Sequence, residues 1–218
     1  MTDDEISLLL QEGASQLGFS FNAGQLRYFS VYLRELNQWQ GRINLSSRKD
    51  DREIIIKDFL DSLTIGRYLP LNSSFMDLGS GAGFPGIPLK IARPDLKLLL
   101  LEATRKKVFF LKDVHRILGL SGIEIRWSGE DRGTKDLLGI FDFVASRAFG
   151  FLVTFAEEGI SFLKRGGILL AMKGKKGRKE LEESLSSLGK MGLTPFLLEE
   201  IRLPYLNHVR ILIGLKKN

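Results

Sequence analysis

Apolar positions follow two different patterns along the 218 residues of the chain, and the change falls near position 70. Before it, they recur at spacings of three and four, which is typical of amphipathic helices. One such face consists of Leu26, Phe29, Leu33 and Leu36, and a second of Ile56, Phe59, Leu60 and Leu63. Asn22 with Gln25, and Asp50 with Glu53, have the polar spacing found at helix starts. We therefore predict a helical extension over residues 1–70.

Over residues 71–218, short apolar runs alternate with helical patterns. The predicted strands are Phe75–Gly79, Leu96–Leu101, Ile123–Trp127, Phe141–Ala145, Gly167–Met172, Pro195–Leu203 and His208–Leu215. The predicted helices are one ending at Arg93, Arg105–Leu118 closed by Gly119, Phe151–Leu163 and Arg178–Met191. Such alternation predicts an α/β domain with a mainly parallel, Rossmann-like sheet of seven strands. The last two strands are close enough in sequence to require an antiparallel hairpin.

The turn after the first predicted strand is rich in glycine and is the first candidate binding site. Its candidate residues are Asp77, Gly79, Gly81, Gly83 and Phe84. Glycines let a ligand lie against the backbone, and this edge of an open α/β sheet is where ligands bind. The spacing Gly81-x-Gly83-x-x-Gly86 also matches the dinucleotide pattern, which leaves NAD as an alternative. The D-x-G-x-G order from Asp77 begins two residues early for that pattern and favours S-adenosylmethionine (SAM).

An acidic residue, Glu102, ends the next predicted strand, 25 residues after Asp77. A carboxylate at this position can accept hydrogen bonds from both hydroxyls of an adenosine ribose. SAM and NAD both carry that ribose, so Glu102 indicates a nucleoside ligand without separating the two.

The net charge of +6 is unevenly distributed. Residues 1–70 carry 8 basic and 10 acidic side chains, and residues 71–218 carry 24 and 16. A basic region favours a polyanionic partner, although a generally basic surface gives the same balance. The densest cluster follows a predicted strand and contains Lys173, Lys175, Lys176 and Arg178. We predict that this loop contacts RNA phosphates, with a merely solvated loop as the alternative.

Cysteine is absent and only two histidines are present, so we expect no metal site. The acidic start, Met1 to Glu5, lacks the order of a signal peptide, and no apolar run approaches the roughly 20 residues that span a bilayer. We expect a cytoplasmic protein without a membrane partner.

Together these motifs resemble the RsmG family, also called GidB, whose members are bacterial 16S rRNA guanine-N7 methyltransferases. The resemblance covers the chain from about residue 20 onward and is carried by Asp77–Ile87 with Pro88, Arg93-Pro94 and Glu102; Trp39 with Asn44-Leu45-Ser46; Leu60-Asp61-Ser62-Leu63; Ser146-Arg147-Ala148-Phe149; and Lys173-Gly174. Three positions depart from the family pattern, which has asparagine at Gln40, histidine at Asp58 and a common Arg-[His/Tyr] pair at Asn207-His208.

The resemblance implies a class I SAM-dependent methyltransferase fold, SAM as cofactor, and 16S rRNA of the small ribosomal subunit as substrate. It implies that the SAM pocket includes Gly79 and Phe84, then Glu102, Ala103 and Thr104 at the ribose and adenine edge, and Gly129 with Glu130 beside the adenine. The run that ends at Asp131 aligns with the family pattern in two registers, so the position of this adenine pair is defined to within one residue. We expect the protein to act as a monomer.

Arg147 is the candidate catalytic residue, because the resemblance implies that it lies where the methyl donor and the guanine meet. Guanine N7 carries a lone pair and no proton, so its methylation needs no general base, and Arg147 is expected to position the guanine or the SAM carboxylate. A structural arginine is the alternative. Three other functions stay open: a SAM methyltransferase for another RNA, protein or small molecule; an NAD-dependent oxidoreductase; and a non-catalytic RNA-binding protein.

Overall fold

The computed structural model describes residues 1–43, 45, 50–129, 134–147, 149–206 and 208–218. The first part of the chain is helical, as the apolar spacing predicts. Helices α1 (Asp3–Gln16) and α2 (Ala23–Gln40) both begin with a capping box, and the one predicted from Asn22 and Gln25 is confirmed.

A third helical segment begins after Asp50, whose side chain caps it. It consists of α3 (Asp51–Ile54), a π-helical stretch (Ile55–Leu60) and α4 (Asp61–Leu63). The helix is confirmed, but its π-helical middle is not visible in the spacing of apolar residues. A π-helix is wider than an α-helix and is frequent at functional sites.

The rest of the chain forms the predicted seven-stranded sheet, in the order β3-β2-β1-β4-β5-β7-β6. Its strands are β1 (Ser74–Leu78), β2 (Lys97–Glu102), β3 (Ile123–Trp127), β4 (Phe141–Arg147), β5 (Leu163–Lys173), β6 (Leu193–Arg202) and β7 (Val209–Lys217). The first five strands are parallel, and β7 is antiparallel to both of its neighbours. The remaining helices are α5 (Gly86–Ala92), α6 (Arg105–Leu118), α7 (Leu152–Gly159) and α8 (Gly177–Lys190).

One predicted helix is too long. Helix α7 ends at Gly159, a 3-10 turn follows, and β5 begins at Leu163, which pairs with Phe141 of β4. The strand therefore starts before the predicted Gly167. Gly166, with φ of 75°, and an irregular register between β4 and β5 separate this first pairing from the regular ladder that begins at Ile168.

Helices cover both faces of the sheet and form two hydrophobic clusters. Helices α1, α2, α5 and α6 pack on one face, and α7 and α8 on the other. The first cluster includes residues from both sides of position 70, and the Tyr32 hydroxyl donates a hydrogen bond to the Ala82 carbonyl beside the glycine turn. The extension thus packs directly against the region of the candidate site, and its division from the sheet at residue 70 stays a prediction.

Candidate functional site

The glycine turn between β1 and α5 requires glycine at its central positions. Gly79, Gly81 and Gly83 have φ values of 72°, 58° and 93°, which side chains other than glycine rarely adopt. A Cβ atom at Gly83 would also lie 2.5 Å from Cδ1 of Ile87 and 2.9 Å from the Tyr32 hydroxyl. The turn is thereby held against both the sheet domain and the helical extension.

Asp77 lies buried beneath this turn and supports its shape. Its Oδ2 atom accepts a 2.8 Å hydrogen bond from the backbone N–H of Gly86, at the start of α5. Its Oδ1 atom accepts none within the part of the chain that the structure describes. Burial raises the pKa of this carboxyl to about 7, against the opposing effects of the Gly86 N–H and of Arg147.

Glu102 faces the glycine turn from the end of β2. Its Oε2 atom accepts a hydrogen bond from the N–H of Gly81 and its Oε1 atom from that of Thr104, each at 2.7 Å. The residue is only 5% exposed. Two backbone donors therefore fix the orientation of the carboxylate. Because an ionised carboxylate has about four acceptor positions, it retains the capacity to accept two hydroxyl groups.

The residues that follow β2 and β3 lie side by side. The indole N–H of Trp127 donates a 2.7 Å hydrogen bond to the carbonyl of Ala103, whose side chain is exposed, as is that of Thr104. A Cβ atom at Gly129 would come within 2.6 Å of the Trp127 ring, so glycine lets the chain cross that ring closely. Glu130, the other member of the predicted adenine pair, lies outside the described residues.

Two phenylalanines occupy positions around the glycine turn that the sequence does not predict. Phe84 is buried against the rings of Tyr32 and Phe59, underneath the turn. Phe149 instead approaches the turn directly, since a Cβ atom at Gly79 would meet its ring at 3.3 Å. The sequence marks Phe149 only as the last residue of the Ser146–Phe149 motif, and that motif is the one signal for its contact with the glycine turn.

Arg147, at the end of β4, is fixed by the helical extension. Its Nη1 atom lies 2.6 Å from Oδ1 of Asp58 and 3.5 Å from Oδ2 of Asp61, and it donates a 2.8 Å hydrogen bond to the carbonyl of Lys57. The guanidinium also lies over the Phe84 ring, 4.8 Å from its centroid. All the acceptors come from the π-helical stretch or the residue after it. Arg147 therefore connects the carboxyl end of β4 to the helical extension.

The charges around Arg147 are buried and balanced. Asp58 and Asp61 are fully buried, and Arg147 is 14% exposed. Burial acts to lower the pKa of the Arg147 guanidinium, but the two carboxylates outweigh it and raise the pKa. Arg210 of β7 forms a second ion pair with Asp61, with Nε 2.7 Å from Oδ1. Asp58, which stands where the family pattern has histidine, is thus an ion-pair partner of Arg147.

The four basic residues predicted to contact RNA do not share one environment. Lys173 is only 9% exposed, and its Nζ atom donates to the carbonyls of Phe149 and Gly150 and lies 3.0 Å from Oε1 of Glu180. Its ammonium group is engaged by these partners, so the prediction that Lys173 contacts RNA does not fit its surroundings. The side chains of Lys175, Lys176 and Arg178 are exposed.

Neither a membrane span nor a metal-binding cluster is found in the described ranges. None of their helices is long and apolar enough to cross a bilayer. No group of three or more histidine, cysteine or acidic side chains there is arranged to hold a metal ion.

The strand order and the glycine turn define a Rossmann-like fold of the class I methyltransferase type. Among solved structures, the chain is similar to M. jannaschii TYW2 in complex with AdoMet, with a TM-score of 0.61 and 15% identity over 82% of this chain and 80% of that one. It is also similar to a SAM-dependent methyltransferase from Aquifex aeolicus, with a TM-score of 0.58 and 17% identity over 85% and 97% of the two chains.

Sequence comparison assigns the family. Residues 25–201 match the profile of GidB, described as rRNA small subunit methyltransferase G. A relative named Ribosomal RNA small subunit methyltransferase G, from Geotalea uraniireducens, is 40% identical over 96% of this chain and 95% of its own. One of the same name from Geobacter metallireducens is 37% identical over 97% and 96%. The chain belongs to the GidB family, which confirms the predicted resemblance and removes support for an NAD-dependent oxidoreductase.

Proposed function

We propose that the protein transfers a methyl group from SAM to N7 of a guanine in 16S rRNA of the small ribosomal subunit. The observation that carries the proposal is the match to the rRNA small subunit methyltransferase G family over residues 25–201, with relatives of that name along almost the whole chain. The geometry at the carboxyl ends of the parallel strands supports both the proposed cofactor and the proposed methyl acceptor.

The site fits an adenosine-containing cofactor. Glu102 is oriented by two backbone N–H groups and can accept both ribose hydroxyls, and glycine at position 81, with φ of 58°, keeps the backbone beside this carboxylate free of a side chain. Ala103 and Thr104 follow β2, and Gly129 follows the neighbouring strand β3, so these residues lie at the same ends of the strands as Glu102, where we propose that the adenine binds. When bound, SAM supplies a methyl group that is already activated as part of a sulfonium.

The properties of Arg147 agree with an acceptor that needs alignment and no proton transfer. Its raised pKa keeps the guanidinium charged, so it cannot act as a base. The polar contacts all involve Nη1, and within the described residues Nε and Nη2 have no hydrogen-bond partner. This remaining edge has the paired N–H groups that bind O6 and N7 of guanine, or a carboxylate, in a bidentate way. Because alignment of the reacting groups lowers the barrier, Arg147 can act by positioning alone.

The absence of cysteine from the sequence excludes methylation of a pyrimidine carbon through a cysteine nucleophile. The exposed side chains of Lys175, Lys176 and Arg178 supply positive charge after β5, at the same edge of the sheet. Phosphate groups of an RNA are the partners that such a loop favours.

The test is methyl transfer from labelled SAM to small ribosomal subunits that lack their own N7 methylation, with the modified nucleoside identified by mass spectrometry. Label in 7-methylguanosine is expected. The matched variant Arg147→Lys keeps the charge but removes the bidentate edge, and it should lose most of the methyl transfer, while its thermal unfolding and SAM affinity show whether the fold is retained. Tight binding of SAM by the wild type without any label in RNA would overturn the proposed acceptor.

A further inference from the structure

Phe151 is a large aromatic side chain that the proposed mechanism does not use. It lies four residues after Arg147, immediately before α7, and is 76% exposed. A single exposed apolar side chain is ordinary on a protein surface. Its importance therefore depends on how its backbone is held and on what surrounds it.

The backbone on both sides of Phe151 is held by one ion pair. Lys173, at the end of β5, donates a 2.7 Å hydrogen bond to the carbonyl of Gly150. Glu180, in the first turn of α8, accepts a 2.6 Å hydrogen bond from the N–H of Leu152, and its carboxylate lies 3.0 Å from the Lys173 ammonium. The segment is thus fixed before any partner arrives, and a fixed aromatic surface loses little entropy on binding.

The segment that carries Phe151 lies between the two parts of the proposed site, the glycine turn and the basic loop. Two residues earlier, Phe149 lies against Gly79 of the glycine turn. On the other side, the segment is joined through Glu180 to α8, which begins directly after the exposed residues Lys175 and Lys176. Phe151 therefore lies on a loop between the proposed cofactor turn and the basic loop.

An exposed aromatic ring on a loop next to a basic loop offers the two groups that proteins use to bind unpaired nucleotides. The bases stack on the ring and the phosphates pair with the cations. An enzyme that modifies an atom of a base draws that base out of its stack. A neighbouring base then loses a stacking partner, and an aromatic ring next to the reacting site can replace it.

We propose that Phe151 is a stacking platform for an unpaired base of the RNA substrate, next to the guanine that is methylated. This inference rests on the proposed function and adds a substrate-binding residue to it. A partner protein could also cover an exposed phenylalanine, but the exposed cations of the neighbouring basic loop favour a polyanion over an apolar protein surface.

The experiment compares Phe151→Ala, Phe151→Leu and Phe151→Tyr with the wild type. Phe196→Ala is the matched control, since Phe196 is 51% exposed on the outermost strand β6, beside Gly214. For each protein, the affinities for SAM and for small subunits lacking N7 methylation are measured, together with single-turnover methyl transfer. The Ala and Leu variants should bind subunits roughly 5- to 160-fold more weakly, while Tyr and the control stay near the wild type. SAM affinity should be unchanged throughout.

The variants separate base stacking from a simple apolar contact. Unchanged subunit affinity in Phe151→Ala would overturn the inference. Full affinity in Phe151→Leu would also overturn it, since it would indicate an apolar contact with protein in place of a stacked base. If the wild type neither binds nor methylates subunits, the proposed function itself fails. Normal wild-type methylation with an equally active Phe151→Ala overturns only the stacking role.

Discussion

The buried carboxyl of Asp77 should make the stability of the protein depend on pH near neutrality. Burial raises its pKa to about 7, compared with ~3.9 for an ordinary aspartate. The folded state therefore holds this proton more tightly than the unfolded state does. The carboxyl costs no stability below about pH 4, the cost grows as the pH rises, and it is complete above pH 7.

The magnitude follows from the two pKa values. Each pH unit between them corresponds to ~1.4 kcal/mol, so the full cost is ~4 kcal/mol, of which ~3 kcal/mol develops between pH 5 and pH 8. In Asp77→Asn, the amide oxygen can still accept the Gly86 N–H. Its NH₂ group replaces Oδ1, which has no hydrogen-bond partner in the described ranges. That unpaired donor costs about 1–3 kcal/mol at every pH.

Urea unfolding of the wild type and of Asp77→Asn at pH 5 and pH 8 separates these two effects. The cost of the amide cancels between the two pH values, so the variant should gain ~3 kcal/mol relative to the wild type from pH 5 to pH 8. The same pH dependence in both proteins would refute the raised pKa.

Asp95 supplies a control of opposite sign. A hydrogen bond from the Arg93 guanidinium lowers the pKa of the Asp95 carboxyl to about 2. Its stabilising contribution is therefore fully present above about pH 4 and is lost only as the pH falls towards 2. Asp95→Asn should lose the same amount of stability at pH 5 and at pH 8.

Two further predictions concern the proposed ligands. Glu102→Gln should weaken SAM binding roughly 10- to 160-fold, because hydrogen bonds to a charged group contribute ~1.5–3 kcal/mol. Calorimetry measures this, with Glu124→Gln, an exposed acid on β3, expected to bind normally; an equal SAM affinity in both variants would contradict the ribose assignment. Replacing Lys175, Lys176 and Arg178 together with alanine should weaken subunit binding and reduce the slope of log affinity against log salt by about 2–3. An unchanged slope would count against their contact with phosphate.

The sequence predicts the end of an element best where a local signal marks it. Helix α6 ends as predicted because Gly119, with φ of 62°, closes it, and strand β3 also has the predicted limits. The helix predicted over residues 151–163 runs too far, because Ile160–Phe162 continues the apolar spacing after Gly159. The start of β5 depends on pairing with β4, and a partner strand cannot be read from a local pattern.

In the candidate site, too, residues that belong to local motifs are predictable from the sequence, and contacts that form only through the fold are not. Glu102 and the glycine turn belong to short motifs, so their proximity follows from strand order alone. The contacts of Arg147 with Asp61, and of Asp61 with Arg210, join positions 86 and 149 residues apart. No spacing predicts them. Local composition predicts an RNA contact for Lys173, whereas its actual partners are Glu180 and two carbonyls of another loop, which no local pattern indicates.

The ion pairs of Asp61 have a consequence for the order in which the chain can fold during synthesis. Asp61 is made early, but its partner Arg210 lies in β7, the last strand. Until β7 exists, burial of this carboxylate would leave it only partly compensated, which strongly disfavours the native packing of the π-helical stretch. We therefore expect the π-helical stretch to reach its native packing only after the C-terminal hairpin has formed. The contacts of this stretch with Arg147 would then be completed late, once β7 is present.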